Sequence, residues 1–133
     1  MIMTGTKEII EKIAHVLRPV KSIDYVFLFG SALKRLLPQS DIDILIGGEM
    51  GSNQKLLLTA ELSRKLSRNV DLVLVGEAHC ELVLKAMSQG LPVLVQNKDM
   101  LKQDYITNWR SFDDNAGLRK IRFARIQRQY VNG

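Results

Sequence analysis

Three aspartates and a Gly-Ser pair are the residues whose types and spacing could do chemistry. Asp41 and Asp43 stand two apart in the run Asp41-Ile42-Asp43-Ile44-Leu45-Ile46. Successive strand residues point to opposite faces, so this spacing sets two carboxylates side by side and the isoleucines on the other face. Like charges held together repel unless a cation joins them, and a hard divalent ion such as magnesium takes carboxylate oxygens as ligands. Asp71 stands near the start of another apolar run, Val70-Asp71-Leu72-Val73-Leu74-Val75. It would complete a three-carboxylate cluster if that run lies beside the first. Two metal ions held this way polarise an α-phosphate, lower the pKa of an attacking hydroxyl and stabilise a leaving pyrophosphate.

Gly30-Ser31 follows the apolar run 25–29. At a strand-to-helix turn a glycine lets the backbone approach a phosphate, and the helix start presents N–H groups to it. The Ser31 hydroxyl adds a donor. Each piece alone is commonplace: Gly-Ser is a frequent turn, Asp-x-Asp occurs at solvent-facing strand edges, and a lone aspartate can cap a turn. Their order is the informative part, a phosphate turn, a short spacer, two acids among isoleucines, then a helix and a third acid on an apolar run.

The elements that must position these residues can be read from periodicity. Ile9, Ile10, Ile13, Val16 and Leu17 recur at helical spacing and Pro19 follows, which predicts a helix over 6–18. Strands are expected over 25–29, 41–46 and 70–75, closed by Gly30, Gly47-Gly48 and Gly76. A brief helix over 31–36, stopped ahead of Pro38, and longer helices over 56–67 and 79–88 lie between and after them. A fourth, edge strand over 91–95 carries Pro92 near its start. The remainder, about 104–130, reads as helical with a break near 113–117. The expected architecture is α/β (α+β), a small mixed sheet flanked by helices. It forms a single domain over 1–133, with its core over about 6–96 and a C-terminal helical segment.

A chain of 133 residues, 46% hydrophobic and 25% charged, is long enough for one core and short for two domains. No apolar run is long enough for a bilayer and the first residues lack signal-peptide order, so a cytoplasmic location away from membranes is expected. With one cysteine, Cys80, and two histidines, His15 and His79, neither an internal disulfide nor a zinc-type cluster is expected. His79-Cys80 reads as chance adjacency. P-loop and dinucleotide fingerprints do not occur. The net charge of +5 is a C-terminal property: residues 1–116 balance 14 Lys+Arg with 14 Asp+Glu, whereas 117–133 hold five basic residues and no acid. Arg119, Lys120, Arg122, Arg125 and Arg128 read as a solvated helix face, or as a surface for an acidic partner, a triphosphate or nucleic acid. Nucleic acid is not favoured, because no recognition module accompanies them. Tyr105, Trp109 and Phe112 fall at near-helical spacing and read as core or partner interface. Lys34 and Arg35 read as a surface pair or as cations for triphosphate, and Ser40 as a turn cap.

Phe27-Leu28-Phe29-Gly30-Ser31 followed by Ser40-Asp41-Ile42-Asp43-Ile44-Leu45 resembles the nucleotidyltransferase superfamily that includes the polymerase β palm. Val70-Asp71-Leu72-Val73 matches that family's third acid. Length and the want of a second domain look most like the minimal nucleotidyltransferases, the antitoxins of HEPN/MNT toxin–antitoxin pairs. The resemblance implies that Gly30 and Ser31 hold a triphosphate and that Asp41 and Asp43 bind magnesium. It also implies that Asp71 supports a second metal or the attacking hydroxyl. Nine residues separate Ser31 from Asp41, one fewer than such antitoxins usually show, and Lys34-Arg35-Leu36-Leu37 lacks the glycine that often follows the arginine of that loop. Subfamily and nucleotide preference stay open on those two points.

Three functional expectations follow. The first is magnesium-dependent transfer of AMP from ATP to a tyrosine of a partner HEPN toxin, which would silence it. The second keeps the reaction and changes the acceptor to a small molecule such as an aminoglycoside, or to RNA, with a homo-oligomer supplying the missing wall. The third is a non-catalytic antitoxin that neutralises its partner by binding through the basic C-terminal segment.

Overall fold

The computed structural model describes residues 4–114. Helix α1 (Thr4–Leu17) ends two residues before Pro19, and its stripe of Ile9, Ile13, Val16 and Leu17 is buried. The strands are β1 (Ile23–Phe29), β2 (Ile42–Gly48), β3 (Val70–Leu74) and β4 (Leu91–Val95). They form one mixed sheet in the order β3-β2-β1-β4. β1 is antiparallel to β2 and β4, while β2 and β3 are parallel. A parallel pair needs a crossover, and helix α2 (Ser52–Leu66) supplies it. Helix α3 (Cys80–Gln89) leads into edge strand β4, and helix α4 (Lys98–Asp114) follows.

Strand alternation assigns each face of the sheet its own core. Val26 and Leu28 of β1, Ile42, Ile44 and Ile46 of β2, and Leu72 and Leu74 of β3 pack with α1 and with Leu58, Leu62 and Leu66 of α2. On the opposite face Tyr25, Phe27 and Leu45 pack with Val83 and Ala86 of α3, with Leu101 of α4 at the margin. Full burial of one such aliphatic or aromatic side chain contributes about 1.5–3 kcal/mol, so both faces strongly resist a one-residue slip in register. Asp43 and Asp71 have the parity of the second face.

Several boundaries differ from the sequence expectation. α2 starts at Ser52 and not at 56, because its buried stripe is Leu58, Leu62 and Leu66 while Leu56 and Leu57 are 69% and 71% exposed. α4 starts at Lys98 and not at 104, because Asn97 Oδ1 accepts the Met100 N–H (3.1 Å) as an N-cap does. The expected helix over 31–36 shortens to one 3-10 turn, Ser31–Leu33. β2 starts at Ile42, leaving Asp41 just outside it. Asp113 and Asp114, placed at an expected break, still belong to α4. The rest of that break, the helix expected to 130, the five basic residues and Tyr130 lie outside the described residues. Phe112 is buried, and Tyr105 and Trp109 are exposed beside it in a ladder of edge-to-face rings. Among the described residues no helix is long and apolar enough to cross a membrane.

Candidate active site

β1, β2 and β3 deliver the chemistry-bearing residues to one end of the sheet. Phe29, the last residue of β1, pairs with Asp43 of β2, and Asp43 is in register with Asp71 of the parallel β3. Two carboxylates therefore occupy adjacent positions on the same face of neighbouring strands. Asp41 is exposed and precedes β2, so it reaches the cluster from a loop.

Gly30 is required there for two reasons. Its φ of 94° and ψ of −166° lie in a region that only glycine adopts without strain. A Cβ on it would also collide with the Asp43 carboxylate. The chain turns directly over Asp43, and the 3-10 turn that follows is anchored by buried Ala32 while Ser31 stays exposed. The turn is closed by the N–H groups of Leu33, donating to Gly30 O, and Lys34, donating to Ser31 O. Phosphate contact at this turn would draw on a single 3-10 turn and the Ser31 hydroxyl, and not on the start of the longer helix expected over 31–36.

Asp43 is half-buried, and burial pushes its pKa up, with the charges of Asp71 and Asp41 adding to the rise. The carboxylate is held where its charged form is disfavoured, which is the electrostatic condition a cation relieves. Among the described residues no group of three His, Cys, Asp or Glu side chains is arranged to enclose a metal ion. Magnesium is a hard ion that usually takes one or two carboxylates and completes its shell with phosphate oxygens and water. The all-oxygen donors Asp41, Asp43 and Asp71 thus fit such an ion in chemical type.

Beside the acids lies a cavity of about 470 Å³ lined by Phe29, Gly30, Ser31, Leu33, Lys34, Lys85 and Gln89. The two lysines bring positive charge to a space floored by the Gly-Ser turn, a chemistry matched to triphosphate. Lys85 and Gln89 come from α3 and carry no motif. Only the docking of α3 on Phe27 and Tyr25 brings them here, so nothing local to 80–89 marks them. His79 is accounted for locally, because its Nδ1 accepts the Glu81 N–H (3.2 Å) and caps α3. Ser40 closes its turn as expected, with Oγ accepting the Leu37 N–H (2.8 Å).

A mixed four-stranded sheet with a Gly-Ser turn poised over paired carboxylates defines a protein of the nucleotidyl-transfer class. The polymerase beta nucleotidyltransferase family model matches residues 11–99, spanning β1 to β4, and the chain belongs to that family. Its enzymatic class is accordingly nucleotidyl transfer. No curated protein sequence matches the chain. Among solved structures, it is similar to a chain of the complex of a tri-AMPylated Shewanella oneidensis HEPN toxin with MNT antitoxin. That match has a TM-score of 0.70 and 20% identity, and covers 90% of this chain and 97% of that one. A toxin–antitoxin complex with AMP-PNP gives 0.69 at 20% identity, covering 88% and 97%. The toxin–antitoxin MntA-HepT gives 0.66 at 18%, covering 90% and 97%. At such identities the likeness is one of fold.

Proposed function

We propose that this chain transfers AMP from ATP to a tyrosine hydroxyl of a HEPN-family toxin partner, and so acts as an antitoxin by adenylylation. The carrying observation is the register of Asp43 with Asp71 beneath Gly30, next to the lysine-lined cavity. The fold neighbours add support, one described with a tri-AMPylated HEPN toxin and another with AMP-PNP.

In this reading Gly30, Ser31, Lys34 and Lys85 bind the triphosphate and orient its α-phosphate toward the acids. Asp41, Asp43 and Asp71 would hold magnesium, which when bound would supply Lewis-acid polarisation of the α-phosphate and charge neutralisation. The tyrosine oxygen forms the new bond to the α-phosphorus, the bond to the β-phosphate oxygen breaks, and pyrophosphate leaves. Asp71, exposed and in register with Asp43, would take the hydroxyl proton. Lys34 and Lys85 offset charge on the departing pyrophosphate.

The test incubates the purified protein with magnesium, ATP and its HEPN partner and reads intact mass. AMP adducts on the partner are expected, and none with Asp41→Asn/Asp43→Asn. Full neutralisation of the toxin by that double variant, with no adduct in wild type, would establish binding alone as the mode. Labelled AMP recovered on a small molecule or RNA and not on the protein would move the acceptor.

A further inference from the structure

Arg68 lies between α2 and β3 and reaches across to the loop that leads into the acids. Its Nη1 donates to the carbonyl oxygens of Leu37, Pro38 (3.3 Å) and Ser40 (3.3 Å). The same turn is closed internally, since the Ser40 N–H donates to Leu37 O (3.0 Å) and Ser40 Oγ accepts the Leu37 N–H (2.8 Å). Three carbonyl dipoles converging on one point repel one another unless a cation sits there. A guanidinium is permanently charged and carries several donors in a fixed plane.

The approach of Arg68 is itself built by the backbone. Ser67 ends α2 in the left-handed region, with φ 53° and ψ 41°, and is the one non-glycine residue with positive φ among those described. That conformation is disfavoured for a serine, and it turns the chain so that the Arg68 N–H donates to Ser63 O (3.3 Å) while the side chain faces residues 37–40. Asp41 follows this pinned turn directly. It stands outside β2, and one residue later the Ile42 N–H donates to the O of Asn69, the residue just before β3 (2.9 Å).

We propose that Arg68 is a positioning residue for the acid cluster: by holding the carbonyls of 37–40 it fixes Asp41 beside Asp43. One arginine thereby couples the loop before β2 to the strand that carries Asp71. The inference deepens the transfer reading and rests on it for its catalytic consequence, while its structural half stands on the clamp alone.

Two measurements test it on the full chain, with Arg68→Ala and the milder Arg68→Lys. Lys34 and Arg35 are exposed in the same loop and report its mobility through limited trypsin cleavage. Cleavage there should accelerate several-fold in Arg68→Ala and less in Arg68→Lys, with cleavage at Lys102 of α4 unchanged as a check on global unfolding. Binding of Mn²⁺ together with a non-hydrolysable ATP analogue, read by electron paramagnetic resonance, should weaken about tenfold in Arg68→Ala, the scale of losing a group that orients a metal ligand. Arg68→Lys should restore part of it, whereas nucleotide binding without metal should stay unchanged. Unchanged cleavage, or faster cleavage with unaltered Mn²⁺ binding, would overturn the proposal. Wild-type protein that binds no Mn²⁺–nucleotide complex would instead sink the transfer reading, and the cleavage ratio would still decide whether Arg68 holds the turn.

Discussion

Gly30 and Gly47 stand at opposite ends of the β1–β2 pair and use the same device to different effect. A Cβ at Gly30 would strike the Asp43 carboxylate, and one at Gly47 would strike the ring of its register partner Tyr25. At the first end the missing side chain lets backbone press on a half-buried charge that its surroundings disfavour. At the second it lets an aromatic ring become fully buried, and the Tyr25 hydroxyl donates to Asp104 of α4 (2.8 Å). One end stores electrostatic stress that a cation can relieve. The other resolves its polar group and fastens the last described helix to the sheet. The same steric permission serves reactivity or stability according to whether the partner is a carboxylate or a ring.

Substitutions that separate the two ends sharpen this contrast. Gly30→Ala should have the largest effect, lowering the proposed AMP transfer by roughly a hundred- to a thousandfold, the scale of losing a transition-state contact, because Asp43 must move. Its thermal midpoint should fall much less than its activity, and equal losses of folded fraction and activity would erase the distinction. Gly47→Ala should do the reverse, costing about 1–3 kcal/mol in denaturant unfolding through overpacking on Tyr25. Transfer per folded molecule should survive it.

Tyr25→Phe should cost about 1–2 kcal/mol, since a hydrogen bond to an ionised group is lost and Asp104 is left without its donor. Its pH dependence is a finer probe. Burial, the Asp104 hydrogen bond and the Asp104 and Asp24 charges push the Tyr25 hydroxyl well above its ordinary range. A raised acid pKa in the folded state means the native protein binds the proton more tightly, so its stability is present below the unfolded tyrosine value of about 10 and is lost as pH rises beyond it. Wild type should weaken steeply in alkaline urea titrations, and Tyr25→Phe should flatten that slope. On stability, the smallest effect is expected from Asp43→Asn, measured without metal. With the folded pKa raised, the aspartate stabilises only at acid pH and opposes folding at neutral pH, so Asn should raise the thermal midpoint. A lowered midpoint would show that Asp43 is not stressed.

Much of this was legible in residue order. The apolar runs marked all four strands, and Gly30-Ser31 with Asp41-x-Asp43 marked the end where chemistry would gather. Local pattern failed where an element's start depends on a cap, as at Asn97 before α4, or where two leucines at 56 and 57 point to solvent. It also overextended the turn after Gly30, which closes as a single 3-10 turn.

The sequence by itself determined alternation, and with it which strand residues share a face, because the period of a strand is a property of the backbone alone. Tertiary structure decided everything that needs two distant segments at once. The parallel pairing of β2 with β3 put Asp71 in register with Asp43, and the docking of α3 carried Lys85 to the cavity. The fold around α2 brought Arg68 to residues 37–40, and α4 brought Asp104 to Tyr25 across 79 positions. No local periodicity encodes such meetings, since they follow from how the two faces of the sheet are filled.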